Sequence, residues 1–306
     1  MTNPPISQSQ KRFQESIGPL FSENTPSTKE KCLFLKSSSD IGVIRNGGRN
    51  GARFAPQSFL ATFKKFAANE TLNRFQFIEA EASNPEEEIK DFNAAQLQES
   101  QRISMLLQKY PDSRICHLGG GHDHIYPLLT ALSEKYKKVI VINIDAHADT
   151  RTDENHHSGT PFRRFSQDYP GDFKIYQVGL HPFANTCSTL GPLKKGQFQI
   201  VWRNELENEK LNSLFKEISL EMTPETLVVF SLDSDALNGS DVPGVSAVNP
   251  SGLTQKELLD IWEYYRKLPL SHPPIMGIYE LNPIYDTLAS ISMRTLGSFV
   301  YTSLYR

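Results

Sequence analysis

Residues 139–149 read V-I-V-I-N-I-D-A-H-A-D, and this stretch decides the fold that we expect. Its first part, residues 139–144, is a short apolar run rich in β-branched residues, which predicts a strand buried on both faces. Such strands belong to parallel sheets, whose reactive groups lie just beyond the carboxyl ends of the strands. The polar residues Asp145, His147 and Asp149 follow the run at that position.

Further short apolar runs along the chain also predict buried strands. They cover residues 114–118, 174–178, 198–201, 227–232 and 275–279. Helical patterns lie between them, at residues 126–136 and along a face that runs from Leu258 to Leu268 behind a capping box of Thr254 and Glu257. Strands that alternate with helices predict an α/β fold with a mostly parallel central sheet covered on both sides.

Composition excludes several classes of protein. The chain has 306 residues and a formal net charge of −3, with basic and acidic residues mixed throughout, so we expect no nucleic-acid partner. No apolar run approaches the length of a membrane span, and the polar start is unlike a signal peptide. Three cysteines without C-x-x-C spacing are typical of the reducing cytoplasm.

The domain organisation is simple, because neither a repeat nor a low-complexity linker interrupts the chain. We expect a polar N-terminal arm at residues 1–30, loose or partly helical, and a single catalytic domain at 31–306. Within the domain, Asn84 as N-cap and Pro85 at the first helical position, followed by acidic residues, predict the start of a helix.

Three of the predicted strands end in loops rich in acids and histidines. Their sequences are G-G-G-H-D-H at 119–124, D-A-H-A-D at 145–149 and D-S-D at 233–235. In an extended segment, side chains two residues apart point to the same side, so each of the last two loops can direct its ligands into one cavity. We therefore expect the three loops to meet at one edge of the sheet.

Charge balance then favours metal ions. Four aspartates carry a charge of −4, and adjacent carboxylates without a counter-charge force one pKa up strongly, whereas two divalent cations would cancel the charge. Oxygen-rich ligation with some imidazole suits Mn²⁺, with Fe²⁺, Co²⁺, Ni²⁺ or Zn²⁺ as alternatives. Two such ions, about 3.5–4 Å apart, would bridge and ionise a water molecule. The predicted ligands are His122, Asp145, His147, Asp149, Asp233 and Asp235.

Each motif alone has a simpler interpretation. A single D-x-H-x-D or D-x-D is more often a loop with Asx turns than a metal site. Residues 233–241 faintly resemble a calcium loop, but Leu237 occupies a ligand position and Gly239 lies one place late. The triple glycine at 119–121 lacks the Lys-Ser or Lys-Thr of a phosphate-binding loop. The metal hypothesis depends on the three loops together.

These motifs also resemble those of the arginase–agmatinase superfamily of ureohydrolases, and within it most strongly those of formimidoylglutamases. The similarity runs from about Gly42 to the C-terminus. The motifs that carry it are R-N-G-G-R-N-G-A at 45–52, G-G-G-H-D at 119–123, D-A-H-A-D-T-R at 145–151, S-G-T-P-F-R at 158–163, V-G-L-H-P-F-A-N at 178–185, S-L-D-S-D-A-L at 231–237, P-G-V-S-A at 243–247 and E-L-N-P at 280–283.

The resemblance implies a three-layer α/β/α fold and a binuclear manganese site. It implies one ion held by His122, Asp145, Asp149 and Asp233. It implies a second ion held by Asp145, His147, Asp233 and Asp235, so that Asp145 and Asp233 bridge. It further implies that Asp149 passes a proton to the leaving amine and that Glu280 holds the cationic group of the substrate.

The residues beside the site suggest the substrate. Arg151 directly follows the D-A-H-A-D-T stretch and offers a fork of donors to a carboxylate, of which N-formimidoyl-glutamate has two. Ser158 and Gly159 lie in an S-G-T-P-F string typical of formimidoylglutamases, and Asn46 lies in the first motif. Arg45, Arg49 and Arg163 are further candidates, for which a structural ion pair is an equal alternative.

We therefore predict a hydrolase that converts N-formimidoyl-L-glutamate and water to L-glutamate and formamide, in histidine degradation, by a metal-bridging hydroxide. The alternatives are an agmatinase, a guanidinobutyrase or an arginase, each of which releases urea, and a non-catalytic metal-binding protein of the same fold. The predicted partner is a small amidine or guanidine. The resemblance implies a homo-oligomer, a trimer or hexamer.

Overall fold

One parallel sheet dominates the computed structural model, which describes residues 11–12, 14–22, 28–191, 193 and 197–305. Its eight strands in the described part of the chain are β1 (Glu30–Ser37), β2 (Phe75–Glu81), β3 (Arg114–Gly119), β4 (Lys138–Ile144), β5 (Asp172–Leu180), β6 (Phe198–Trp202), β7 (Thr226–Asp233) and β8 (Ile275–Tyr279). Their order across the sheet is β2-β1-β3-β8-β7-β4-β5-β6, and every neighbouring pair is parallel.

Helices connect the strands. They are α1 (Ile41–Arg45), α2 (Ala55–Phe63), α3 (Pro85–Lys90), α4 (Phe92–Lys109), α5 (Ile125–Ser133), α6 (Pro161–Asp168), α7 (Cys187–Leu190), α8 (Asn208–Glu221), α9 (Gln255–Arg266) and α10 (Ile291–Tyr305). Across the residues described, none of the helices has both the length and the apolar character that a membrane crossing requires.

Helices cover both faces of the sheet. Because side chains alternate along each strand, every strand contributes apolar residues to both faces. Ile140, Ile142 and Ile144 of β4 belong to a core shared with α2, α8, α9 and α10. Val139 and Val141 belong to the opposite core, shared with α4, α5 and α6. This arrangement of helices, sheet and helices confirms the expected three-layer α/β/α fold with a parallel central sheet.

Most of the predicted elements are present. The six predicted strands correspond to β3–β8, and the capping box at Thr254 and Glu257 starts α9. The helix predicted after Asn84 is α3, and the Asn84 side chain accepts a hydrogen bond from the Glu86 amide. Strands β1 and β2 had not been predicted, because their short apolar segments alternate with or are flanked by charged and polar residues.

Part of the predicted N-terminal arm packs against the domain. Ile17 is fully buried, and Phe21 pairs with Phe77 of β2 and lies 5.3 Å from its ring. The first ten residues lie outside the described residues, so the boundary at residue 30 stays a prediction.

The carboxyl ends of four adjacent strands carry the predicted chemistry. Asp145 directly follows β4, Asp233 ends β7, Glu280 directly follows β8, and His122 lies three residues beyond β3. Because β3, β8, β7 and β4 are neighbours in that order, their four ends form one continuous edge. Strand order therefore brings together groups that are up to 158 residues apart in sequence.

A core substitution tests the three-layer packing. Phe230 of β7 is fully buried and contacts Trp262 of α9 at 5.1 Å between ring centroids. Phe230→Ala should lower the free energy of unfolding by about 3–5 kcal/mol, because it removes this contact and leaves a cavity. Urea denaturation measures the loss, and Leu220→Ala on exposed α8 surface is the matched control. Equal stability of the two variants would contradict the packing described.

Candidate metal centre

The three predicted loops meet around the ring of His122. Its Nδ1 atom lies 2.9 Å from an oxygen of Asp149 and 3.2 Å from oxygens of both Asp145 and Asp233. One possible ligand atom from each of these four residues lies within 4.8 Å of the others. The four side chains thus form a compact first group of possible ligands at the ends of neighbouring strands.

A second group shares a member with the first. His147 Nδ1 lies 3.3 Å from an Asp235 oxygen and 3.7 Å from Asp145 Oδ1. Asp145 directs its other oxygen, Oδ2, toward His122. The two oxygens of one carboxylate therefore face the two groups, which is the geometry of a bridging ligand. Asp233 lies in the first group, and the expectation that it also bridges to the second group stays a prediction.

Two buried atoms of the groups lack hydrogen-bond partners among the described residues. They are His122 Nδ1 and Asp235 Oδ1. The other ring nitrogen of His122, Nε2, lies 2.8 Å from the hydroxyl of Ser231. If Nε2 carries the proton, the Nδ1 lone pair faces three carboxylates, and only a cation makes that arrangement favourable. The donor set of imidazoles and carboxylates therefore fits divalent metal ions.

The carboxylates disturb one another's ionisation. Burial, together with the charges of Asp235 and Asp145, raises the pKa of Asp233 well above its usual range. Burial and the charge of Asp145 also raise the pKa of Asp149, to about 6. Burial acts the same way on Asp145, but the neighbouring imidazoles of His122 and His147 outweigh it and lower the pKa of Asp145 to about 2. The protein's own groups thus supply too little positive charge for all the aspartates.

Backbone and amide groups hold Asp145, the member that the two groups share. The His147 amide donates to Asp145 Oδ1 at 2.7 Å, and Asn143 Nδ2 donates to Oδ2 at 3.1 Å. Asn143 also donates to Gln177, whose own amide binds the Ala148 carbonyl. This buried chain of amides fixes the loop that carries three of the predicted ligands.

Asn143 and Ser231 also contact the predicted ligands, although the sequence motifs did not predict them as site residues. Each lies two residues before an aspartate ligand on the same strand, so that its side chain shares the aspartate's side of the strand. A polar residue inside an otherwise apolar strand was the signal that could have identified both.

Backbone conformation is unusual at two site residues. Asp149 has a φ of +51° and Glu280 a φ of +63°. Both lie in the left-handed region, which residues other than glycine rarely adopt. The Glu280 amide donates to Gly120 O at 2.8 Å, and its Oε1 accepts from the His122 amide at 3.0 Å. These bonds hold the Glu280 carboxylate beside the first ligand group.

Glu280 lines the same cavity as Asp149, Asp233 and Asp235. Burial, with a smaller contribution from nearby carboxylates, raises its pKa to about 8. A cationic group that enters the cavity would relieve this unfavourable charge, because an opposite charge nearby favours the ionised carboxylate. The position and electrostatics of Glu280 are thus compatible with its predicted role, which stays a prediction.

The cavity has a volume of about 640 Å³ and includes the predicted substrate residues Arg151, Asn46, Ser158 and Gly159 in its wall. Arg151 Nη1 donates to Asn46 Oδ1 at 2.7 Å, and Asn46 donates in turn to Ser158 Oγ at 3.2 Å. Arg151 Nε lies 2.8 Å from Asp153. The guanidinium is held at the wall yet remains half-exposed.

The other candidate arginines differ. Arg49 lines the cavity, but its guanidinium donates to the carbonyls of Val245 and Ser246 and covers the Tyr285 ring.

Arg45 and Arg163 do not line the cavity. Arg45 donates to the carbonyl of His156, and Arg163 donates to the carbonyl of Arg151. Their contacts are therefore structural.

Comparisons with known proteins agree with this geometry. A family model described as Arginase family matches residues 39–305. A formimidoylglutamase of Legionella pneumophila is 26% identical over 285 residues, which cover 91% of this chain and 86% of that protein.

Solved structures share the fold. The formimidoylglutamase of Bacillus subtilis superposes with a TM-score of 0.82 at 22% identity, covering 94% of this chain and 90% of that one. The formiminoglutamase of Trypanosoma cruzi, solved with Mn²⁺, has a TM-score of 0.76 at 24% identity and covers 95% and 97% of the two chains.

The resemblance inferred from the motifs is thereby confirmed. The family model spans all the strand-end loops that carry the two ligand groups, as well as Glu280 and Arg151. The chain belongs to the Arginase family.

Proposed function

We propose that this protein hydrolyses N-formimidoyl-L-glutamate to L-glutamate and formamide, with two Mn²⁺ ions held by the six predicted ligands. One observation carries the proposal: two ligand groups that share Asp145 open onto a cavity whose wall contains Arg151. The formimidoylglutamase relatives and the Mn²⁺ in the Trypanosoma cruzi structure support the choice of substrate and metal.

The reaction balances without an additional reagent. The oxygen of water adds to the amidine carbon, the bond from that carbon to the glutamate nitrogen breaks, and this nitrogen takes up a proton. Two divalent cations, when bound, neutralise the carboxylates and lower the pKa of a water molecule. The remaining work of binding, orientation and proton transfer falls to the side chains of the chain itself.

Three side chains divide this work. Glu280 accepts hydrogen bonds from the cationic amidine and so orients its carbon. Asp149 lies in the first ligand group and also lines the cavity, so that its carboxylate is placed to take up a proton and pass it to the leaving amine. Arg151 binds a substrate carboxylate, since its guanidinium is held in place by Asn46 and Asp153.

We further propose that the protein is cytoplasmic, takes part in histidine degradation and works as a homo-oligomer, a trimer or hexamer. The three cysteines, all among the described residues, are free thiols, as is typical of a reducing compartment.

The substrate is tested with a panel of amidines and guanidines. With Mn²⁺ added, N-formimidoyl-L-glutamate should yield formamide at a kcat/KM well above that for arginine, agmatine or 4-guanidinobutyrate. It alone in this panel combines a cationic amidine for Glu280 with two carboxylates for the basic wall at Arg151, whereas arginine and 4-guanidinobutyrate have one carboxylate and agmatine has none. Product analysis separates formamide from urea. Preferential release of urea would instead identify a guanidine hydrolase, and no product from any compound would identify a non-catalytic protein.

The ligand set is tested by removing Asp233. Asp233→Ala should reduce bound Mn²⁺ from two ions per chain and lower kcat/KM by roughly a hundredfold or more, since even outer partners of metal ligands contribute ten- to hundredfold. Metal analysis after dialysis and a rate assay check both effects. Asp172→Ala is the control, because Asp172 is exposed at the opposite end of the sheet. Two retained ions and normal turnover in Asp233→Ala would refute the assignment.

The carboxylate contact is tested at Arg151. Arg151→Gln should raise KM by roughly ten- to hundredfold with a smaller effect on kcat, because a charge-assisted bond to substrate contributes about 1.5–3 kcal/mol. Bound Mn²⁺ should stay unchanged, because Arg151 belongs to neither ligand group. Arg45→Gln, outside the cavity wall, is the control. An unchanged KM in Arg151→Gln would remove Arg151 from substrate binding.

A further inference from the structure

The ring of Tyr279 lies flat against the metal ligand His122. The two rings are 4.8 Å apart between centroids and inclined by 21°, and both side chains are fully buried. The tyrosine ring fills a tight space between the strands. A Cβ atom at Gly277 would overlap the Tyr279 hydroxyl, and a Cβ atom at Gly119 would overlap the Tyr279 ring. The backbone of β3 and β8 is therefore shaped to admit this ring beside His122.

A buried row of hydrogen bonds leads away from the Tyr279 hydroxyl. The hydroxyl lies 2.9 Å from His117 Nδ1, and His117 Nε2 lies 2.7 Å from Ser37 Oγ. Ser37 donates to Glu99 at 2.6 Å, and Glu99 pairs with His124 at 3.0 Å. We call Tyr279, His117, Ser37 and Glu99 the Tyr279 chain. It connects β8, β3, β1 and α4.

The direction of each bond follows from proton counting. His124 and Ser37 outweigh burial and lower the pKa of Glu99, so its carboxylate only accepts. Ser37 has one hydroxyl proton, which goes to Glu99, and its oxygen must therefore accept from His117 Nε2–H. Burial lowers the pKa of His117 to about 3, so this ring carries one proton and its Nδ1 accepts. Tyr279 is then the donor at the start of the chain.

All three bonds point from Tyr279 toward a buried anion. A phenol that donates to an acceptor chain of this kind gains electron density on its ring, because successive hydrogen bonds polarise one another. The imidazole of His122 becomes partly positive when Nδ1 binds a cation, and an electron-rich aromatic face attracts positive charge. Ser231 at Nε2 and the edge of Phe162 at 5.3 Å fix the remaining orientation of the imidazole.

We propose that Tyr279 is a positioning residue for the metal ligand His122, and that His117, Ser37 and Glu99 hold Tyr279 in that role. The proposal rests on the metal centre of the proposed function and is independent of the substrate. It distinguishes the two ligand groups, because the Tyr279 ring stacks on His122, which is a member of the first group and not of the second.

Removal of a single hydroxyl tests the proposal. Tyr279→Phe keeps the ring but breaks the bond to His117. It should weaken the Mn²⁺ site of the first ligand group, which contains His122, about tenfold, as loss of an outer partner of a metal ligand does. The second site should keep its affinity. Titration with Mn²⁺, followed by electron paramagnetic resonance of the free ion, measures the affinities of both Mn²⁺ sites in the full-length protein.

Tyr265→Phe is the matched control. Tyr265 is also fully buried, and its hydroxyl bonds the backbone of Ile275 and Val228, outside both ligand groups. Its loss should lower thermal stability to a similar extent without changing either Mn²⁺ affinity. Ser37→Ala provides a second test if Tyr279→Phe does not fold, and should weaken the same site by a smaller factor.

The outcomes are distinct. Selective weakening of one site in Tyr279→Phe or Ser37→Ala, with Tyr265→Phe unchanged, supports the proposal. Two wild-type affinities in Tyr279→Phe overturn it and leave the proposed function intact. A wild-type protein that binds no Mn²⁺ overturns the proposed function and this proposal with it.

Discussion

Negative charge gathered at one edge of the sheet is the constraint on which the rest of the structure depends. Asp145, Asp149, Asp233 and Asp235 converge from two loops, and all are largely buried from solvent. At an effective dielectric constant of about 20, two like charges 4 Å apart repel by about 4 kcal/mol. Imidazoles alone do not neutralise four such groups, whereas two divalent cations do. The folded chain is thus organised to hold charge that it does not itself supply.

A rigid scaffold holds the aspartates in place despite this electrostatic repulsion. Parallel strands β3, β8, β7 and β4 fix where each loop begins, and both faces of the sheet are packed by helices. Beneath the ligands, Asn143 and Ser231 bind Asp145 and His122, while the Tyr279 chain supports the His122 ring from its face. Left-handed backbone at Asp149 and Glu280 is held by the same surroundings. Strain and buried polar groups are concentrated where the chemistry is proposed.

Much of this was predictable from sequence, for identifiable reasons. Short apolar runs predicted β4 and β7. The rule that reactive groups lie beyond the carboxyl ends of parallel strands then predicted that Asp145 and Asp233 meet. Strands β1 and β2 could not be predicted in the same way, because each has a short apolar segment with charged or polar residues within it or beside it. His117 and Tyr279 were not predicted either. Each looks like an ordinary core residue of an apolar strand, and their partnership depends on the adjacency of β3 and β8, which no local pattern reveals.

A crystal structure with anomalous diffraction from Mn²⁺ tests the central claim most directly. The account predicts two peaks per chain, about 3.5–4 Å apart, one on each side of Asp145. A single peak would contradict it. So would two peaks with one at Glu88, Glu99 and His124, which form a further buried group of possible ligands among the described residues.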